Sequence, residues 1–147
     1  MQEVSMEDIL KMEMSCKPEN EGLARIAIAT FMVRLNPTLE EINDVKTAVS
    51  EAVTNAIVHG YEDREGIIYL EGIIKEKAIE ISVKDEGVGI ANIKEAREPL
   101  YTTKPEEERS GMGFTFMEIF MDEVHIDSKV GEGTEVRMIK KIVGGDK

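Results

Sequence analysis

Residues 38–61, TLEEINDVKTAVSEAVTNAIVHGY, decide the reading of this chain, because they spell a long helix whose apolar stripe is bordered by two polar groups. At ~100° per residue, Ile42, Val45, Val49, Ala52, Val53, Ala56 and Ile57 fall on one face. Thr38 and Glu41 form the T-x-x-E of a capping box that starts the helix, and Gly60 after His59 reads as its C-terminal stop. Glu51 and Asn55 flank the stripe one turn apart, so their side chains project from neighbouring turns toward one ligand. A carboxylate and an amide oxygen so placed suit Mg²⁺, which takes hard oxygen ligands, keeps several waters and completes its shell with substrate phosphates. Taken alone, an E-x-x-x-N pair more often belongs to the solvated half of an amphipathic helix. The rest of the chain decides between the two.

Length, charge and cysteine bound that choice. With 147 residues the chain reads as a single domain, large enough to bury a core and too short for a second module with its own chemistry. Lysine and arginine total 18 against 30 for aspartate and glutamate, and the net charge of -12 repels a polyanion. Direct nucleic-acid binding is therefore not expected; the charge favours a basic protein partner or serves solubility. Cys16 is the single cysteine, which rules out an internal disulfide and fits a reducing compartment. The apolar run over residues 23–33 contains Arg25 and Thr30 and is shorter than the ~20 residues of a membrane span. With no basic-then-apolar leader, the chain reads as soluble and cytoplasmic, without a membrane partner.

Outward from the helix, residues 1–10 lack periodicity and read as a mobile or unpaired extension, while residues 11–16, KMEMSC, alternate as an edge strand. Pro18 opens a first helix whose apolar face is read as Leu23, Ile26, Ala27, Thr30, Phe31, Met32 and Val33, ending near Asn36-Pro37. Residues 66–85 alternate around a Lys75-Glu76-Lys77 turn, an antiparallel hairpin with one buried face. A short polar helix over residues 92–97 precedes an irregular stretch, residues 98–110, which reads as a mobile lid. Helical spacing returns over residues 114–121, two strands follow at 124–128 and 134–143, and the tail 144–147 reads as disordered. The fold class is α/β: a two-layer sandwich, a mostly antiparallel mixed sheet with helices on one face.

Chemistry concentrates at strand and helix ends. Residues 84–90, KDEGVGI, close the strand AIEISV; an aspartate there accepts a hydrogen bond from an exocyclic amine such as adenine's, and Gly87 and Gly89 let the backbone approach a flat ring. Alone, D-x-G-x-G is often only a turn. Ser110-Gly111-Met112-Gly113 precedes a helix, where free N–H groups and the positive helix end suit phosphates. Gly133-Thr134 opens the last strand and brings a hydroxyl. Lys104 and Arg109 in the lid are candidate phosphate contacts, with ordinary loop solvation as the competing role.

The four signals, in this order and context, resemble the ATPase superfamily of DNA gyrase B, the heat-shock 90 chaperones, sensor histidine kinases and MutL. The E-x-x-x-N helix corresponds to its N box, DEGVGI to the first glycine box, SGMG to the second and GT to the third. The local text SEAVTNAIVHGY, YTTKPEEERSGMGF and MDEV is similar to the anti-sigma F factors of spore-forming bacteria, a family of serine protein kinases, and the likeness covers residues 12–140. That resemblance implies Asn55 as Mg²⁺ ligand, Glu51 as the base or the group orienting the nucleophile, and Asp85 as the reader of adenine. It implies Gly87, Gly89, Gly111 and Gly113 as shapers of the pocket and Thr134 beside the adenine, with ATP/ADP bound. It further implies a homodimer that inhibits a sporulation sigma factor and phosphorylates a serine of an anti-anti-sigma protein. The first helix, carrying Glu21 and Arg25 one turn apart, lies in the region that contacts both partners in that family; the bland role of the pair is an exposed salt bridge. Two rivals compete: a nucleotide-dependent binding protein without kinase activity, and a histidine-kinase-type catalytic domain. The second needs a phosphoacceptor histidine on a separate helix pair, and neither His59 nor His125 is so placed.

Overall fold

The computed structural model describes residues 7–97 and 113–145. Five strands, β1 (Asp8–Ser15), β2 (Ile67–Lys75), β3 (Ala78–Asp85), β4 (Glu123–Lys129) and β5 (Gly133–Lys141), form one sheet in the order β1-β2-β3-β5-β4. Every pairing among the described residues is antiparallel. The helices are α1 (Glu19–Met32), α2 (Leu39–Asn55), α3 (Ile93–Ala96) and α4 (Gly113–Phe120). This is the α/β architecture expected of a histidine-kinase-type ATPase fold.

α2 is the spine of the helical layer. Its capping box is present in both halves: the Glu41 N–H donates to Thr38 Oγ1 at 3.0 Å, and the Thr38 N–H donates to Glu41 Oε1 at 2.9 Å. Val45, Ala48, Val49, Ala52 and Val53 are buried, the stripe read from the sequence with Ala48 added and Ile42 at its edge. They share one core with Ile79, Ile81, Val83 and Met138 of the sheet. Alternate strand residues on the other sheet face carry charge instead, as in Lys11 paired with Glu71 at 3.6 Å and Arg137 with Glu80 at 3.7 Å.

Four expectations change. Residues 8–10 are not an unpaired extension, because Asp8, Ile9 and Leu10 pair with Ile74, Ile73 and Gly72 and lengthen the edge strand. The tail is ordered at its start: the Val143 and Gly144 N–H groups donate to the Glu41 carboxylate at 2.8 and 3.2 Å, and the Gly145 N–H donates to the Asn36 carbonyl at 2.7 Å. α1 buries Ala24, Ile28, Phe31 and Met32, whereas Leu23, Ile26 and Val33 are 48%, 60% and 58% exposed. The helix carries two apolar stripes, at 24, 28, 31 and 32 and at 23, 26 and 33, and periodicity alone does not say which one meets the sheet. Finally, the helical run stops at Gly60 as read, but its last residues do not continue the α-helix: they widen into a π-turn over Ala56–Gly60.

Candidate functional site: a nucleotide pocket at the end of α2

The π-turn delivers Gly60 to the end of β3. A Cβ on Gly60 would stand 2.7 Å from Asp85 Oδ2, and one on Gly87 would stand 1.9 Å from the Gly60 carbonyl oxygen. Only glycine at both positions allows the two backbones to touch. The contact is closed by the Val88 N–H, which donates to the Gly60 carbonyl at 2.8 Å. The exit of the α2 helix and the DEGVGI turn are therefore one unit, although 25 residues separate Gly60 from Asp85 in sequence.

Asp85 sits at the centre of that unit and is 4% exposed. Its Oδ1 accepts the Gly87 N–H at 2.8 Å. Across the ladder it pairs with Thr134. Burial pushes its pKa up, and the backbone N–H groups of Gly87 and Thr134 oppose that shift without cancelling it. A carboxylate so placed keeps lone pairs for one more donor, the capacity that recognition of an amine requires.

The opposite wall is held by a serine. Ser128 Oγ accepts the Ile90 N–H at 2.7 Å, lies 3.0 Å from the Gly133 carbonyl and 2.7 Å from Thr134 Oγ1. Gly89, at φ +80°, passes so close to β4 that a Cβ would stand 2.2 Å from the Lys129 carbonyl. Gly133, at φ +119°, leaves 2.1 Å between a Cβ and the Asp85 carbonyl oxygen. The first and third glycine motifs thus meet through Ser128, Asp85 and Thr134.

Glu51 and Asn55 project from the last two turns of α2, beside this junction. Asn55 Nδ2 is the one buried side-chain nitrogen or oxygen without a hydrogen-bond partner among the described residues. An amide with one unpaired end can turn its oxygen to a cation or its N–H to a phosphate, so the residue fits a ligand-facing role. No group of three or more histidine, cysteine, aspartate or glutamate side chains able to hold a metal occurs among the described residues. A resident all-protein cage is thereby absent from them, and the donor set fits Mg²⁺ carried in by phosphates.

Glu21 and Arg25 pair at 3.0 Å on α1, and both reach α2. Ser50 Oγ donates to Glu21 Oε2, and Arg25 Nη1 lies 3.4 Å from Ser50 Oγ, so the pair is anchored next to Glu51 rather than loose on the surface. Gly113 opens α4. Lys104, Arg109, Gly111 and the lid over residues 98–110 lie outside the described residues. His59 lies in the π-turn and His125 on β4. Three contributors are not visible in the sequence: Gly60 reads only as a helix stop, Tyr61 has no role assigned to it, and Ser128 carries no motif at all.

No helix among the described residues is long and apolar enough to cross a membrane. The histidine kinase-like ATPase domain family matches residues 14–140. The chain is 54% identical to the anti-sigma F factor of Clostridium perfringens (strain SM101 / Type A), over 93% of this chain and 99% of that protein. It is 53% identical to that of Anoxybacillus flavithermus, over 93% and 94%, and 56% identical to that of Clostridium beijerinckii, over 90% and 93%. A domain of this kind binds nucleotide and supports an ATP-using activity. By that family match and those identities, over a fold that joins the end of α2 to the Asp85 turn, the chain belongs to the histidine kinase-like ATPase family, among the anti-sigma F factors.

Proposed function

We propose that this chain is a cytoplasmic, single-domain serine protein kinase that uses ATP and Mg²⁺ to phosphorylate an anti-anti-sigma protein and that also sequesters a sigma factor. The observation that carries the nucleotide half is Asp85, a buried carboxylate held by Gly87 and Thr134 with acceptor capacity left for the adenine amine. Asn55 would hold the Mg²⁺ that comes with the phosphates, and the metal supplies charge neutralisation of the transferring group. Glu51, one turn earlier, orients the acceptor hydroxyl or takes its proton. Lys104 and Arg109 would neutralise phosphate oxygens from the lid, and Gly111 and Gly113 would bring backbone N–H groups to the same phosphates.

The relatives are named as anti-sigma F factors, which supports a sigma factor of that type as the inhibited partner. Two surface features support protein partners. Leu23, Ile26 and Val33 expose an apolar stripe along the first helix, and β1 leaves one strand edge unpaired among the described residues. Both suit a homodimer. Arg25, partly exposed and anchored through Glu21 and Ser50, suits a shared contact for the sigma factor and the anti-anti-sigma protein.

Glu51→Gln separates the catalytic reading from a purely binding one. It preserves size and hydrogen bonding and removes the carboxylate, so ATP and sigma factor should bind as in the parent while phosphorylation falls by ~10²-fold or more. Full-speed phosphorylation by the variant would exclude Glu51 as the base.

A further inference from the structure

The π-turn leads into a tyrosine held at three points: by the π-turn itself, by the start of β2 and by the turn after β3. The Tyr61 N–H donates to the Ala56 carbonyl at 2.9 Å, which closes the π-turn. Its ring covers Gly66, where a Cβ would stand 2.4 Å from the ring edge. Its hydroxyl donates to the Ile67 carbonyl at 2.5 Å and accepts the Glu86 N–H at 2.8 Å. Glu86 is the residue between the base-facing Asp85 and the close-packed Gly87. The side chain is 7% exposed, and burial pushes its pKa up, so the hydroxyl stays protonated and keeps its donor role at neutral pH.

We propose that Tyr61 is a positioning residue for base recognition: by gripping the Glu86 N–H from beneath, it fixes the Asp85 carboxylate in the orientation that accepts the adenine amine. The inference rests on the reading of Asp85 given above. The geometry explains why one hydroxyl matters. Asp85 is fixed from above by the Gly87 N–H, and Gly60 fills the space beside its oxygens. The Val88 N–H holds the far side of that turn on the Gly60 carbonyl, and the Glu86 amide, next to Asp85 itself, is held by Tyr61. Without the hydroxyl, a half-buried N–H and the Ile67 carbonyl lose their partner, and the turn can rotate to find others. Tyr69 provides the natural control, since its hydroxyl lies 3.5 Å from Glu86 Oε1 and so reaches the Glu86 side chain rather than its backbone N–H.

The test compares the parent, Tyr61→Phe and Tyr69→Phe by calorimetric titration with ATP and with inosine triphosphate, whose base carries a carbonyl in place of the exocyclic amine. The parent and Tyr69→Phe should prefer ATP to the same extent. Tyr61→Phe should bind ATP about tenfold more weakly, with a smaller loss for inosine triphosphate, so that its preference shrinks. A general loosening would weaken both nucleotides alike and leave the ratio unchanged, and that result overturns the proposal. Should Tyr61→Phe not fold, hydrogen exchange on the parent decides: the Glu86 amide should be protected, and exchange at the rate of an unbonded amide overturns the tether. A parent without any preference for ATP brings down the reading of Asp85 and this proposal together, whereas a preferring parent with an unaltered Tyr61→Phe ratio brings down Tyr61 alone.

Discussion

Asp85, the proposed reader of the base, would join stability to recognition in one residue. Its folded pKa lies above its unfolded value because the carboxyl is buried, so its contribution to stability is fully present below the unfolded value and is lost as pH rises through the folded one. At neutral pH the fold therefore bears the cost of a desolvated carboxylate, and an amine donor from a ligand relieves it. Asp85→Asn removes that cost while keeping an acceptor for the Gly87 N–H, so its melting temperature at neutral pH should not fall below the parent's. ATP binding should weaken by ~1–3 kcal/mol, because the amide can present a donor to a donor. Parent affinity should also weaken as pH falls below neutral and protons compete for Asp85, whereas the variant's should stay flat. A calorimetric series across pH checks both statements, and a parent profile without slope would remove Asp85 from the site. This residue was legible in sequence because its D-x-G-x-G, often only a turn when alone, closes an apolar strand and stands in order with the three other motifs. Tyr61 and Ser128 were not, since their partners, Glu86, Ile67, Ile90 and Thr134, are brought near only by the closing of the sheet.

Among elements, α2 was the most legible and α1 the least. α2 has a single stripe, a complete capping box and polar neighbours, and each local signal agrees with its place in the fold. α1 presents apolar residues on two faces, so the face read from sequence holds the buried Phe31 and Met32 together with the exposed Leu23, Ile26 and Val33, and the outward stripe became visible only in three dimensions. The start of α2 has a second use that no local pattern announces: Glu41 both completes the capping box and receives the chain's C-terminal segment at Val143 and Gly144. Burial raises the Glu41 pKa, but the N–H groups of Thr38, Val143 and Gly144 outweigh it and hold the value below normal. A depressed carboxyl stabilises the fold above its unfolded pKa and loses that contribution as pH falls through the folded one. Glu41→Ala should cost ~1–2 kcal/mol in chemical denaturation and should speed hydrogen exchange at the Val143 and Gly144 amides. The parent's advantage over the variant should shrink in acid. Unchanged exchange at the two amides would show that the tail is held by other means.

At the scale of the molecule, the antiparallel sheet sets the site by bringing three sequence-distant ends to one edge: β3 delivers Asp85, β5 delivers Thr134 in register with it, and the π-turn delivers Gly60. The glycine motifs announced this arrangement in sequence, while the order β1-β2-β3-β5-β4 was not written in any local stretch. α4 is tied to the same frame at its far end, where Lys140 Nζ donates to the Phe120 carbonyl at 2.8 Å and lies 3.7 Å from Asp44 of α2. The end of α4 is thereby tied to α2, the helix that carries Glu51 and Asn55. The central claim is that this chain transfers the γ-phosphoryl group of ATP to a serine of a protein partner. Its most direct test is incubation with γ-labelled ATP, Mg²⁺ and the proteins encoded beside this chain, followed by identification of the labelled residue. Label on a serine of a neighbouring anti-anti-sigma protein, lost in Asn55→Ala, is the predicted result; bound ATP with no label on any partner, or label on a histidine, would contradict it.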